Sequence, residues 1–323
     1  MAATKIGVVG VGKMGEYHVG VLSEMPETDL VGVVDNNKER ANLISERYSV
    51  PCYYDCKDLI KKVDMVIVAL PTSLHYPIGK EFLEAGIHTL LEKPCTDNLS
   101  QAEELFEIAN KNNLVLHIGH IERFNGAVQE LFKIVKDPIY IECRRMSPFL
   151  ARLKDDGVVL DIMIHDIDII LNLVNSDVSN INVIGRSIFS ERDDLINAQI
   201  EFKNGCVANI LASRVSQNKV RTLEVTQKES SILLDYTEQE IFVHRQSSSE
   251  HQLSPGSLRY KQESLIERIF VHKDNPLKLE LKHFIDCATN GSPRNLAVKN
   301  ELNSLKIALE ILNQYKPRSQ QSP

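Results

Sequence analysis

The feature that most constrains this chain is GVGKMG, residues 10–15, set between the apolar run KIGVVGVG and a stretch of helical spacing with Met14, Val19 and Leu22 on one face. Gly10, Gly12 and Gly15 fill the three positions of G-x-G-x-x-G. At a strand-to-helix turn the first glycine permits the tight bend, the second lets the backbone approach a pyrophosphate, and the third lets helix and strand pack closely. The following segments alternate in the same way. DLVGVVD, MVIVALP, HTLLEKP and LVLHIG read as strands, while NKERANLISERY, HYPIGKEFLEAG and a stretch opened by Ser100 with Glu103 as a capping box read as helices. Alternation of this kind implies parallel strands joined by right-handed crossovers.

Asp35 ends the second strand about 20 residues beyond Gly15, where an acidic ligand for the adenosine ribose is expected. A carboxylate there repels a 2′-phosphate, which favours NAD over NADP, although Arg40 stands close by. The expected cofactor set from this turn is Gly10, Val11, Gly12, Lys13, Met14, Gly15, Asp35 and Arg40. With 323 residues, two domains are the natural division. The first is a Rossmann domain over 1–122 and the second an α+β domain over 123–323 with a large open, mostly antiparallel sheet.

From Pro138 the period changes. PIYIECRRMS, INVIGRSIF, INAQIEF, CVANILASR, RTLEVTQ, SILLDY and EIFVHR alternate apolar and polar residues, as strands with one covered face do. Asn204-Gly205 predicts a hairpin. Residues 246–260 read as a loop, and helices are expected over about 276–290 and 297–315. GVVLDIMIHDIDIILNLV, residues 157–174, reads as one helix buried on most sides, with Asp161, His165 and Asp168 in one stripe at i, i+4 and i+7. A carboxylate beside an imidazole in apolar surroundings suits proton transfer near neutral pH. The same stripe also suits a core histidine held by Asp168. No further His/Cys cluster supports a metal, so none is expected.

Net charge is −7 with no basic run among aromatics, which argues against nucleic acid as a partner. No apolar stretch approaches the roughly 20 residues of a membrane helix, and no leader pattern opens the chain, so no membrane association and a cytoplasmic location are expected. Six cysteines lack C-x-x-C spacing and read as reduced thiols.

The glycine turn, the EKP tripeptide at 92–94 and the D-x-x-x-H helix, in that order, resemble the Gfo/Idh/MocA family of NAD(P)-dependent sugar oxidoreductases along essentially the whole chain. The resemblance implies that Lys93 closes the fifth strand and reaches the substrate hydroxyl, with Asp161 and His165 completing the site from the second domain. It adds Leu70, Thr72, His75 and Glu92 to the cofactor set; ALPTSLH at 69–75 departs from the family's A-T-P-N-x-x-H, and only His75 carries over cleanly. VLDIMIHDID and GHIERFN look most like the branch containing UDP-N-acetylglucosamine 3-dehydrogenases, which serve amino-sugar and lipid A-type synthesis. That implies oxidation of a sugar C3 hydroxyl to a ketone; an inositol or other sugar dehydrogenase and a non-catalytic NAD-binding sensor are the alternatives. A nucleotide-sugar diphosphate needs cations or amides, for which Arg123, Asn125, Arg144, Arg152 and Arg221 are the candidates, with Arg145 and Arg214 also weighed. A one-faced sheet invites a homo-oligomer packed sheet to sheet.

Overall fold

The computed structural model describes residues 3–149, 157–252, 258–293 and 298–315. Two compact units emerge: residues through Phe124 together with Asn275–Leu309, and Asn125–Asp274 together with the stretch from Glu310.

The first unit begins β1 (Thr4–Val9), α1 (Lys13–Ser23), β2 (Thr28–Val34), α2 (Lys38–Tyr48), β3 (Cys52–Tyr53), β4 (Met65–Val68), α3 (Thr72–Glu84), β5 (His88–Glu92), α4 (Leu99–Lys111) and β6 (Leu116–Gly119). All six strands pair in parallel in the order β3-β2-β1-β4-β5-β6. That order reverses between β1 and β4, and ligands of such sheets bind beyond the carboxyl ends of the strands at that switch point. Gly10 follows β1, Leu70 follows β4 and Lys93 follows β5, so three sequence candidates stand at the same edge. The cap of α4 differs from the expected Ser100/Glu103 box. Asn98, two residues earlier, is already extended, and its Oδ1 accepts from the Ser100 N–H at 2.9 Å.

The second unit holds α5 (Gly126–Ile134), β7 (Tyr140–Met146), α6 (Ile164–Val174), β8 (Val178–Arg186), β9 (Leu195–Phe202), β10 (Val207–Ser213), β11 (Val220–Gln227), β12 (Ser230–Asp235), β13 (Glu240–Gln252) and β14 (Leu258–Ile269). These eight strands form one sheet, β14-β13-β12-β11-β7-β10-β9-β8, antiparallel except where β10 runs parallel to β7. Gly205, at φ +88°, makes the β9–β10 hairpin that Asn-Gly signalled. Residues 246–252 and 258–260, read from sequence as loop, lie instead in β13 and β14; a serine run carries no apolar alternation, so only the backbone pairing reveals the strands. The rest of that stretch, 253–257, lies outside the described residues.

The chain ends in α7 (Pro276–Asn290) and α8 (Val298–Gln314). The sequence reading placed both in a second domain, 123–323. In the structure Leu277, Leu281, Phe284 and Ile285 of α7 join one buried cluster with Ile6 and Val8 of β1 and Val19 and Leu22 of α1. A partly buried stripe at i, i+4 and i+7 shows that a helix buries a face, not which sheet it covers. Among the described residues no helix is long and apolar enough to cross a membrane, and all six cysteines are free.

Candidate active site

Backbone shape explains the glycines of the first turn. Gly10 sits at φ +85°, and a Cβ there would lie 2.5 Å from the Ala69 carbonyl oxygen; a Cβ on Gly15 would lie 1.8 Å from the Gly10 oxygen. Gly12 is different. Among the described residues a Cβ there would meet no atom within 4 Å and nothing demands glycine, whereas a diphosphate approaching the backbone does. No side chain caps the N-terminus of α1, which leaves its first N–H groups to an anion. The residues present fit a dinucleotide.

Asp35 braces this turn: Oδ2 accepts from the Val11 N–H at 3.0 Å, and Oδ1 from the Asn37 N–H at 2.9 Å. Arg40 braces it from below, donating from Nε to the Val11 carbonyl at 2.7 Å and from its terminal nitrogen to Glu16 at 2.6 Å. A guanidinium tied to Glu16 is poorly placed to serve a 2′-phosphate, so the NAD expectation stands on geometry as well as on Asp35. A cavity of ≈410 Å³ opens here, lined among others by Gly10, Gly12, Asp35, Tyr54 and Leu70, with Leu74 beside them. Tyr54 and Leu74 were missed in the sequence; both are exposed large side chains, and that exposure is invisible without coordinates. Lys13 and Met14 open α1, and Thr72 opens α3.

His75 faces backbone carbonyls. It is buried, with Nδ1 2.9 Å from the Pro94 carbonyl and Nε2 2.8 Å from the Leu70 carbonyl. Burial pushes its pKa below the ordinary imidazole value, although both carbonyls pull the other way. Glu92 likewise turns inward, its Oε1 2.7 Å from Nε2 of the fully buried His18. Burial alone would raise the Glu92 pKa; the hydrogen bond from His18 and the charge of Lys93 more than offset it, and the group stays ionised below its usual range. Lys93, half-buried, precedes a cis peptide bond to Pro94.

In the second unit, residues 157–174 are not one regular helix. A wide turn of π geometry, Val159–Met163, precedes α6 and contains Asp161. Such turns widen the helix and recur at functional sites. Of the expected stripe, Asp161 and His165 are partly exposed, whereas Asp168 is buried. Asp193, unremarked in the sequence, holds the turn's start by accepting from the Val159 N–H at 2.8 Å. Gly157 is required beneath it, since a Cβ there would lie 1.8 Å from Asp193 Oδ1.

The arginine candidates separate. Arg123 is buried and paired with Glu301 at 3.0 Å, and Asn125 caps α5 through the Ala127 N–H while donating to the Tyr236 carbonyl at 3.1 Å. Both side chains are engaged in holding the fold. Arg145 grips Asp166 through two bonds of 2.8 and 2.7 Å, and Arg214 binds Asp194 at 2.6 Å. Register separates the remainder. Arg221 pairs directly with Arg145 across β11 and β7, and so shares the sheet face that carries α6, whereas Arg144 points to the opposite, outer face. Arg152 lies outside the described residues. Among those described, no cluster of potential metal ligands occurs.

A parallel sheet of this order, with uncapped helix amides facing an open glycine turn at its switch point, is a dinucleotide-binding fold. Residues 4–120 match the NAD-binding Rossmann domain of the GFO/IDH/MocA oxidoreductase family, and residues 118–233 match that family's C-terminal domain. The chain belongs to this family and is an NAD-dependent oxidoreductase acting on CH–OH groups. It is 29% identical over 294 residues, 91% of each chain, to a UDP-N-acetylglucosamine 3-dehydrogenase of Acidithiobacillus ferrooxidans. A solved structure of that enzyme superposes with a TM-score of 0.89 at 28% identity, covering 97% of this chain and 98% of the other. A scyllo-inositol 2-dehydrogenase of Bacillus subtilis is 25% identical over 97% of this chain and 94% of its own.

Proposed function

We propose that this protein oxidises the C3 hydroxyl of UDP-N-acetylglucosamine to a ketone, with NAD as the hydride acceptor. The observation that carries this reading is the likeness to the Acidithiobacillus enzyme over nearly the whole of both chains, alongside Lys93, Asp161 and His165 in the motif positions. Bound NAD supplies the two-electron acceptor. Lys93 hydrogen-bonds the reacting oxygen and opposes the negative charge that develops on it, while His165 accepts the hydroxyl proton and Asp161 orients the imidazole or a neighbouring hydroxyl. Arg221 is the cation assigned to the diphosphate. A 3-keto nucleotide sugar suits later transamination, which places the enzyme in amino-sugar or lipid A-type synthesis in the cytoplasm. The protein assembles as a homo-oligomer through the outer sheet face.

Inositol is the second candidate substrate, since a scyllo-inositol dehydrogenase is similar over almost the same span. The test offers NAD with UDP-N-acetylglucosamine, UDP-glucose, inositols and simple aldoses, and records reduced-cofactor absorbance. Turnover of UDP-N-acetylglucosamine above all others is expected. Turnover of inositol alone overturns the substrate assignment, and binding of NAD with no turnover favours a sensor.

A further inference from the structure

Lys93 has a neighbour on each side held by a buried histidine. Glu92 Oε1 lies 2.7 Å from Nε2 of His18 on α1, and the Pro94 carbonyl lies 2.9 Å from Nδ1 of His75 on α3. The two histidines are 0% and 1% exposed. Their helices follow β1 and β4, the two strands that meet at the switch point. We propose that His18 and His75 are positioning residues that clamp residues 92 and 94 and so aim the Lys93 amine; the proposal rests on the role given to Lys93 above.

Three observations support a clamp over incidental burial. Glu92 packs directly on the β6 backbone, its second oxygen 3.0 Å from where a Cβ on Gly119 would stand, so the absence of a side chain at 119 gives the carboxylate its place. His75 also stands with Nε2 2.8 Å from the Leu70 carbonyl, so the ring is wedged between the loop after β4 and the loop after β5. Burying two imidazoles and a carboxylate is costly compared with apolar packing, whereas a lysine on a flexible stem needs a fixed backbone to reach one oxygen. A neutral imidazole has one N–H for two carbonyls, so the clamp requires the proton of His75 on Nδ1.

That requirement sets the experiment. A glutamine amide nitrogen stands near Nε2 of a histidine and an asparagine nitrogen near Nδ1. His18→Gln therefore keeps the bond to Glu92 and His18→Asn loses it, while His75→Asn keeps the bond to Pro94 and His75→Gln loses it. For each variant, kcat at saturating NAD, the Kd for NAD, the melting transition and the rate of Lys93 acylation by an amine reagent are measured. The expectation is that H18N and H75Q lower kcat about tenfold or more and alter Lys93 acylation about threefold, with NAD affinity held within about threefold, while H18Q and H75N recover most of the loss. Equal losses in both members of a pair, no loss in either, or loss of the melting transition overturns the clamp. Acylation needs no substrate, so failure of the proposed sugar reaction and failure of the clamp are read separately.

Discussion

Glu280 offers the sharpest test of the electrostatics. It lies on α7, fully buried, and among the described residues neither carboxylate oxygen has a hydrogen-bond partner. Burial first, and the nearby charge of Glu92 second, push its pKa well above the ordinary range, against the pull of Arg123. The folded protein thus keeps a proton that the unfolded chain releases from about pH 4.3. The stability contributed by this group is complete below that value and is lost as pH rises to the folded pKa, at about 1.4 kcal/mol per pH unit. Glu92, held ionised, contributes constant repulsion across that window. Glu280→Gln cannot release a proton. Its stability relative to the parent should climb by the same slope, which for a domain of about 150–250 residues corresponds to roughly 3–6 °C in Tm per pH unit. Glu280→Met should show the same slope with a constant offset, since it also removes the unsatisfied carboxyl. Paired thermal melts from about pH 4.5 to 7.5 make the measurement. A difference that is flat with pH, or that falls, refutes the assignment of a neutral buried acid.

Three further outcomes are expected. Lys93→Met should bind NAD normally by fluorescence titration yet turn over about 100-fold more slowly or worse; unchanged turnover removes Lys93 from the mechanism. Gly15→Ala forces a methyl against the Gly10 carbonyl, so NAD affinity should fall about tenfold or more, a loss of about 1.4 kcal/mol measurable by calorimetry. Asp194 accepts from the N–H groups of Ile188, Phe189 and Ser190 as well as from Arg214, and although burial opposes ionisation these bonds bring its pKa to about 2. Its contribution is present above the unfolded aspartate value and lost as pH falls towards 2, so Asp194→Asn should lose about 3 kcal/mol at neutral pH in urea unfolding and flatten the acid limb.

Periodicity and turn chemistry are local, which is why the parallel sheet, the switch-point glycines, the strand-end positions of Asp35 and Lys93, and the Asn-Gly hairpin were legible in the chain. What escaped depends on partners far away in sequence. Nothing near Arg123 announces Glu301, and nothing near Asn125 announces the Tyr236 carbonyl, so both looked available to a substrate. Arg144 and Arg145 are adjacent in sequence, and only strand register puts them on opposite faces. The wide turn at Val159–Met163 is held by Asp193 from another segment, a partner that nothing near the turn announces. His18 was overlooked because one imidazole within an apolar helix face looks like core until its partner, Glu92, is found 74 residues away.

Glu92 joins the clamp to the buried acid, and that link makes a final prediction whose sign is fixed. The His18 bond helps keep Glu92 ionised, and ionised Glu92 is one reason Glu280 resists ionisation. Breaking the bond with His18→Asn lets Glu92 take up a proton more readily, which relieves the repulsion on Glu280. The stabilisation gained by Glu280→Gln at about pH 7.5 should therefore be smaller in the H18N background than in the parent, by a coupling of roughly 0.5–3 kcal/mol, the range seen for residues sharing one network. Urea unfolding of the four proteins of this cycle measures it. Additivity within about 0.5 kcal/mol would mean that burial alone sets the Glu280 proton and that the charge of Glu92 is not felt there.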